Sequence, residues 1–239
     1  MKAVLLDAGL TLLRARPSLG AVYTLVARRH GRDASPESFE RAAAAAFHAI
    51  AEEHRHAGLE GLRTSESLER ESWRRHARKV MEGLPDLDGM DFDAWFEDLY
   101  DAFGGSAVWV PFDDAVPALE ALRERGLALA VVSNWDCRLH RILGDNGLTP
   151  YFDAVVVSSE VGWRKPHPAI FERAFAALSV RPSEALHVGD SKGDDIDGAA
   201  AAGVRAVLID REGRGPAGVP AVRDLREIVA LLEAGDGRN

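Results

Sequence analysis

Residues 2–13 read KAVLLDAGLTLL and carry the clearest structural pattern in the chain. A short apolar run ends on an acid, Asp7, and Gly9 follows two residues later. Short apolar runs that stop at a polar residue and a glycine are typical of strands buried on both faces. We therefore expect a buried strand over residues 2–7, with Asp7 at its carboxyl end.

Four further apolar runs have the same pattern, at residues 127–133, 154–158, 185–189 and 204–209. Helical periodicity lies around them, at residues 113–125, 168–178, 194–202 and 221–233. Strands that alternate with helices over short loops favour a parallel sheet covered on both faces. The sequence therefore predicts an α/β fold with a Rossmann-like parallel sheet as its core.

The stretch from residue 17 to residue 105 has a different pattern. It contains helical periodicity at residues 19–30, 36–54, 65–82 and 92–103, and no convincing strand. Ser35 and Thr64 stand where the N-caps of the second and third of these helices would lie. We therefore expect an α/β core domain of residues 1–16 plus 106–239, and an all-α cap of residues 17–105 inserted after the first strand.

Composition narrows the possible partners. Of the 239 residues, 46% are hydrophobic and 28% are charged, and the formal net charge is −9. A net acidic chain is a poor partner for nucleic acid, whose phosphates need a basic face. No apolar run reaches the roughly 18 residues of a membrane span and no signal-peptide cleavage pattern is present, so we expect a cytoplasmic protein that binds no membrane. The single cysteine, Cys137, excludes an internal disulfide and a thiolate metal cluster.

Polar residues stand at or after the ends of the predicted strands. They are Asp7 and Thr11, Ser133 and Asn134, Lys165, and Asp190 with Asp194 and Asp195. In an open parallel sheet the carboxyl ends of the strands meet at one edge, where ligands bind. Carboxylates crowded together repel one another and need a cation, and an all-oxygen ligand set favours Mg²⁺.

Each of these residues alone also has a purely structural explanation. Asp7 could cap a strand end, and Ser133 could start an ordinary turn. Lys165 could lie in a solvated loop, and Asp190 and Asp195 could cap the following helix. The occurrence of all these groups in this order, each at the end of its own strand, favours a functional site.

Taken together, the four motifs resemble those of the haloacid dehalogenase (HAD) superfamily over essentially the whole chain. The motifs are DAGLTL at 7–12, VSN at 132–134, KPHPAIF at 165–171, and GDSKGDD at 189–195 with GA at 198–199 and AG at 202–203. The helical insertion matches the small helical cap of that family. Within the superfamily, the chain looks most similar to the branch of HAD-like hydrolase domain-containing proteins and the rhythmically expressed gene product of flies.

The resemblance implies a phosphatase that acts through a covalent intermediate. Asp7 would be the nucleophile and form an aspartyl-phosphate, which splits one displacement into two. Mg²⁺ would be held by Asp7, the backbone carbonyl of Gly9 and Asp190, with Asp195 nearby or bound through water.

The resemblance also implies a phosphate-binding set. Ser133 and Asn134 with the neighbouring backbone amides would bind phosphoryl oxygens, and Thr11 would orient the loop around Asp7. Lys165 would neutralise charge on Asp7 and on the transferring group, so that Asp7, Ser133 and Lys165 form the catalytic set. The expected partner is a small phosphorylated molecule, bound by a monomer or a homodimer.

Gly9 is the departure from the family pattern that matters most. Most phosphatases of the family have a second Asp at this position, which protonates the leaving group and then activates water. General acid–base catalysis contributes about 10²–10⁴-fold, so an enzyme with Gly9 is expected to be slow or to prefer acyl, aryl or anhydride phosphates. His54 and His56 are the alternative proton donors, although histidines of this kind are usually solvated.

Three alternatives remain open. Dehalogenases of the superfamily also lack the second Asp, but neutral residues replace their acidic fourth motif, whereas Asp190 and Asp195 are present here. Phosphonatases use a cap lysine, for which Lys79 is the one candidate and is poorly spaced. A chain that keeps the metal and phosphate site without its acid could also be a nearly inactive protein that binds or senses a phosphorylated ligand.

Overall fold

The computed structural model describes residues 1–236 and contains a six-stranded parallel sheet. A separate antiparallel pair is formed by β2 and β3. In chain order the strands are β1 (Ala3–Leu6), β2 (Leu13–Ala15), β3 (Trp109–Pro111), β4 (Ala128–Ser133), β5 (Ala154–Val157), β6 (Ala185–Gly189), β7 (Arg205–Ile209) and β8 (Ala221–Val222). The spatial order of the large sheet is β5-β4-β1-β6-β7-β8, so β1 lies between β4 and β6. The α/β fold with a parallel sheet is confirmed.

Ten α-helices complete the described part of the chain. They are α1 (Leu19–Arg29), α2 (Pro36–His56), α3 (Glu66–Glu82), α4 (Phe92–Phe103), α5 (Ala115–Glu124), α6 (Arg138–Asp145), α7 (Ser158–Val161), α8 (Pro168–Leu178), α9 (Gly198–Ala201) and α10 (Arg226–Asp236). Short 3₁₀ turns and one π-helical turn, Lys192–Asp197, connect some of them. Among the described residues, no helix combines the length and the apolar character needed to span a bilayer.

Both faces of the sheet are buried, which explains the continuous apolar runs. Val4 and Leu6 of β1 belong to the larger core cluster, and Ala3 and Leu5 belong to a second cluster that includes Phe171 of α8. Successive side chains of a strand point to opposite faces, so a strand covered on both sides needs apolar residues at every position.

The C-terminal elements differ from the sequence prediction. The helix predicted at residues 221–233 begins only at Arg226, because Ala221 and Val222 form β8 and pair with Leu208 and Ile209 of β7. The helix predicted at 194–202 is a π-helical turn followed by the short α9.

The four helices α1–α4, which we call the helical segment (residues 19–103), follow β2 and precede β3. Their own core is aromatic: Tyr23 lies 5.3 Å from both Phe39 and Phe103 between ring centroids, and Trp95 is fully buried. Predicting four helices here is correct to within two residues at most ends. The domain boundaries at 16/17 and 105/106 stay predictions.

Of the two predicted N-caps, Ser35 is confirmed and Thr64 is wrong. Ser35 accepts a hydrogen bond from the Ser38 N–H, as predicted for an N-cap. Thr64 does not cap α3. Instead Ser65, in extended conformation, accepts from the Leu68 N–H, while the Thr64 hydroxyl donates to Glu69 at 2.7 Å.

A buried carboxylate fixes α3 to the sheet domain. Glu69 is 3% exposed and accepts hydrogen bonds from Thr64, from Ser158 Oγ at 3.0 Å and from Arg164 Nη2 at 3.3 Å. Beside it, the Thr64 N–H donates to the Gly162 carbonyl, and the Arg164 N–H donates to the Leu62 carbonyl, both at 3.0 Å. The start of α3 and the loop before residue 165 are therefore held together.

Helices α2 and α3 pack against each other through the imidazole ring of His76 and the ring of Phe47. The His76 ring lies 3.9 Å from the Phe47 ring between centroids, and His76 is 2% exposed. Within the described residues neither of its ring nitrogens has a hydrogen-bond partner, and burial lowers the pKa of His76 to about 4. His76 is therefore neutral at pH 7 and resists protonation in the folded state.

Replacing Glu69 should weaken the attachment of the helical segment. We expect Glu69→Ala to lower the free energy of unfolding by about 3 kcal/mol, because it leaves the Arg164 guanidinium and the buried Thr64 hydroxyl without their carboxylate acceptor. Urea unfolding measures this, with Glu71→Ala, an exposed position on the same helix, as the matched control. A loss no larger than that of the control would contradict the role given to Glu69.

His76 should make the protein sensitive to acid. Its pKa is lower in the folded than in the unfolded state, so the unfolded chain binds the proton first and stability falls as pH drops from about 6.5 to about 4, by about 3 kcal/mol. His76→Phe should remove this part of the pH dependence, as measured by urea unfolding at pH 7 and pH 4. The control is His48→Phe, since His48 is exposed on α2. Parallel pH profiles for wild type and His76→Phe would refute the prediction.

Candidate active site

The parallel sheet brings the predicted polar residues to one edge. Asp7 directly follows β1, Ser133 ends β4, and Asp190 follows β6. These three strands are neighbours and parallel, so their carboxyl ends lie side by side. Lys165, from the loop between α7 and α8, reaches into the same place.

Lys165 lies at the centre of this cluster. Its ammonium donates to Asp7 Oδ1 and to Asp195 Oδ1, both at 2.6 Å, and the residue is only 2% exposed. Burial alone would lower the pKa of Lys165, but the two carboxylates outweigh it and raise the pKa above its usual value. Lys165 therefore carries a fixed positive charge against the candidate nucleophile.

Asp195 is fully engaged by protein donors. Its Oδ1 also lies 2.8 Å from His187 Nε2, and its Oδ2 accepts from the Ser191 N–H at 2.9 Å. Burial alone would raise the pKa of Asp195, but Lys165 and His187 together lower it below its usual value. Asp195 is thus an ionised group that holds Lys165 in place.

Asp7, Asp190 and Asp195 each offer a carboxylate oxygen, and these oxygens lie within 4.8 Å of one another. Burial and the neighbouring Asp7 and Asp195 raise the pKa of Asp190 well above its usual value. Lys165 alone does not offset this accumulation of negative charge at Asp190. The donor set is all oxygen and carries excess negative charge, so it fits a hard divalent cation such as Mg²⁺.

Ser133 and Asn134 occupy different positions relative to the nucleophile. Ser133 Oγ donates to Asp7 Oδ1 at 3.0 Å. The Asn134 side chain instead binds the backbone of Lys165, accepting from its N–H at 2.6 Å and donating to its carbonyl at 3.1 Å. It also donates to Asp194 Oδ2 at 3.2 Å. The side-chain amide of Asn134 therefore positions the lysine loop.

Thr11 lies in the loop after Asp7 and is fully buried. Its carbonyl accepts from Arg211 Nη2 at 2.7 Å, and its hydroxyl has no partner among the described residues. The structure brings five of the predicted site residues together: Asp7, Ser133, Lys165, Asp190 and Asp195. Thr11 makes no side-chain hydrogen bond to any of these five residues.

The structure gives a steric reason for Gly9. A Cβ at this position would lie 3.2 Å from Cζ3 of Trp135, which is 8% exposed and packs at 4.9 Å against Trp109 between ring centroids. A Cβ at position 9 would therefore crowd the Trp135 ring, which would have to shift by a few tenths of an ångström. The position that lacks an acid lies beside a packed aromatic ring.

A cavity of about 520 Å³ opens between the helical segment and this edge of the sheet. Its charged and polar lining includes Lys165, Asn134, Arg164, Asp194 and His54. Burial raises the pKa of Asp194 to about 6, and burial together with Arg164 lowers the pKa of His54 to about 4. Lys165 and the helical segment therefore face one space.

Several cap residues considered from the sequence fall outside this space. His56 is exposed and bonds to the Glu52 carbonyl, and Lys79 pairs with Glu53 at 3.0 Å. Among the aromatic residues nearby, Trp73 lines the cavity, whereas Trp95 and Trp109 belong to the core.

Four residues of the site were not predicted from the sequence: His187, Arg164, Glu69 and Trp135. His187 lies within an apolar strand, which signals a buried partner, and Arg164 directly precedes Lys165. Glu69 and Trp135 gave no signal, because their contacts join segments distant in the chain.

Comparison with known proteins agrees with the architecture. A family model described as haloacid dehalogenase-like hydrolase matches residues 1–203. The haloacid dehalogenase-like hydrolase domain-containing protein 3 of Homo sapiens is 36% identical over 215 residues, covering 90% of this chain and 82% of that protein. A phosphoserine phosphatase of Thermus thermophilus is 34% identical, covering 98% of this chain and all of that protein. The crystal structure of a HAD phosphatase from Thermococcus onnurineus superposes with a TM-score of 0.61 at 27% identity, covering 97% of this chain and 98% of that one.

The family match spans both the helical segment and all four motifs. The human relative belongs to the branch expected from the motifs, and two of the similar proteins are phosphatases by name. The chain is a member of the haloacid dehalogenase-like hydrolase family.

Proposed function

We propose that this hydrolase is a Mg²⁺-dependent phosphatase that acts on a small phosphorylated molecule through an aspartyl-phosphate on Asp7. The observation that carries the proposal is the buried hydrogen bond of 2.6 Å between Lys165 and Asp7, at a sheet edge that also holds Asp190. The phosphatases among its relatives support the same reaction class.

In the first half-reaction, an Asp7 carboxylate oxygen attacks phosphorus. The bond between phosphorus and the ester oxygen breaks, and the leaving group departs with the electron pair. Ser133 and Lys165 both contact Asp7 Oδ1, so they orient the carboxylate and leave its other oxygen for attack. Lys165 also offsets negative charge on the transferring group.

In the second half-reaction, water hydrolyses the aspartyl-phosphate, releases inorganic phosphate and regenerates Asp7. Lys165 remains charged throughout, because Asp195 stays ionised beside it. Asp195 therefore acts on the reaction through Lys165, as a positioning residue.

Mg²⁺ would be held by Asp7, Asp190 and the backbone carbonyl of Gly9, and when bound it would neutralise charge on the phosphoryl oxygens. We leave Asp195 out of direct coordination, because Lys165, His187 and Ser191 already occupy its oxygens. The helical segment would act as the cap that excludes water from the cavity.

The leaving group receives no proton from position 9. His54 lines the cavity, but its lowered pKa keeps it neutral at pH 7, and Arg164 lies 3.2 Å from its Nδ1. A neutral imidazole beside a guanidinium is a weak acid catalyst. The enzyme should therefore act on esters whose leaving group is stable without protonation.

Two other family chemistries fit the site less well. Without a cation, a dehalogenase site would leave Asp190 and Asp195 against Asp7 with Lys165 as their only ammonium partner. A phosphonatase needs a cap lysine at the substrate, whereas Lys79 pairs with Glu53 away from the cavity.

Removing the nucleophile tests the proposal directly. Asp7→Asn should lower hydrolysis of acetyl phosphate and 4-nitrophenyl phosphate by about 10³-fold or more, because the amide cannot form the intermediate. Phosphate release is measured with and without Mg²⁺, and Asp113→Asn, an exposed acid, is the matched control. Wild-type turnover that does not need Mg²⁺, or that survives in Asp7→Asn, would overturn the proposal. No wild-type turnover of either compound would favour a phosphate-ligand binding protein instead.

Restoring an acid at position 9 tests the cause of slow turnover. Gly9→Asp should raise hydrolysis of an alkyl phosphate relative to 4-nitrophenyl phosphate by up to about 10²-fold, because only the alkyl leaving group requires a proton. The control is Gly9→Asn, which has the same size, displaces Trp135 equally and offers no carboxylic acid. Equal rate ratios in the two variants would show that the missing acid does not limit turnover.

A further inference from the structure

The cavity beside the lysine has two chemically different ends. At one end, Arg164 contacts both His54 of α2 and Glu69 of α3. At the other end, the Phe47 ring of α2 packs against the His76 ring of α3 at a tilt of 37°. Seven residues separate the two points on each helix, so the cavity extends about 10 Å away from Arg164 at 1.5 Å per residue.

The far end is apolar and partly uncovered. Phe47, Ile50, Trp73 and His76 line it. Leu62 lies instead at the Arg164 end, where its carbonyl accepts from the Arg164 N–H. Phe47 is 47% exposed, so this end of the cavity is open to solvent. Apolar walls with a few polar groups at one end are typical of a small-molecule site.

This lining suits an aromatic ring better than a polar leaving group. Phe47, Trp73 and His76 present three rings from two helices, and Trp73 and His76 meet edge to face at 77°. Aromatic rings favour such tilted contacts beyond the area they bury. The hydroxyl and amino groups of a sugar or an amino acid would find few partners at this end, where leaving them unpaired is unfavourable.

The chemistry at position 9 points to the same class of compound. A phenol has a pKa of about 10, close to that of tyrosine, so it can leave as the phenoxide without an enzymic acid. The phenoxide then takes its proton from water. An alcohol has a pKa near that of water, about 15.7, so it does not readily leave as the alkoxide without an enzymic acid. The cavity and Gly9 are independent features of the chain, and both favour an aryl ester.

Resting on the phosphatase function proposed above, we propose that the substrate class is an aryl phosphate, whose ring lies between α2 and α3 while its phosphate faces Lys165. Phe47, Trp73 and His76 bind the ring, and Arg164 lies where the ring and the phosphoryl group meet.

Phosphonates measure binding without turnover, because their carbon–phosphorus bond is not an ester. Benzylphosphonate replaces the ester oxygen of phenyl phosphate by a methylene group, and ethylphosphonate does the same for methyl phosphate. Calorimetry of the wild-type protein with Mg²⁺ should show benzylphosphonate binding about 30-fold more tightly than ethylphosphonate, as expected for burying a ring. Hexylphosphonate, which is equally apolar but not aromatic, should bind less tightly than benzylphosphonate.

A filled cavity provides the second measurement. Ala51 lines the cavity and is exposed, so Ala51→Phe can occupy the ring site with little effect on folding. It should weaken benzylphosphonate binding about tenfold or more and change ethylphosphonate binding little. Ala45→Phe, exposed on the same helix and outside the cavity, is the matched control.

The outcomes separate this inference from the proposed function. Equal affinity for benzylphosphonate and ethylphosphonate, or for benzylphosphonate and hexylphosphonate, together with Mg²⁺-dependent turnover of acetyl phosphate, would overturn the aryl class and leave the phosphatase standing. Tight benzylphosphonate binding without any turnover would support the ring site and overturn catalysis. Failure of all three phosphonates and of turnover would overturn both.

Discussion

The buried ammonium of Lys165 between Asp7 and Asp195 is the interaction on which the rest of the site depends. Burying several carboxylates at one sheet edge is unfavourable unless a cation is held against them. The chain supplies that cation from a loop distant in sequence, and it fixes the loop twice, through the Asn134 amide and through Asp195. His187, inside β6, orients Asp195 in turn. Asp7 is therefore positioned by a chain of contacts that begins in the core of the sheet.

The sequence predicted this edge well because topology does most of the positioning. Parallel strands side by side bring their ends together, so polar residues after apolar runs were sufficient to find Asp7, Ser133, Lys165 and Asp190. Elements defined by long-range pairing could not be found in this way. Strand β8 has two residues and no alternation, and its existence depends on the exposed edge of β7. Thr64 was wrongly predicted to be a cap. Its hydroxyl donates instead to Glu69, which joins segments that are distant in the chain.

Gly9 illustrates how a missing group can be a structural feature. A Cβ at position 9 would lie 3.2 Å from the ring of Trp135, which packs on Trp109 at the point where the chain returns from the helical segment. Reactivity and packing are thus coupled at one position, and a proton donor there would require Trp135 to move.

Glu69 and Arg164 connect the helical segment to the loop that carries Lys165. Arg164 contacts the segment through Glu69 and His54, and the next residue in the chain is Lys165. The backbone bond from the Arg164 N–H to the Leu62 carbonyl fixes the same loop. Any displacement of α3 relative to the sheet must therefore change the surroundings of the lysine that contacts Asp7. The helices that line the cavity and the loop that carries Lys165 are therefore joined by the same contacts, so the shape of the cavity and the position of Lys165 against Asp7 depend on each other.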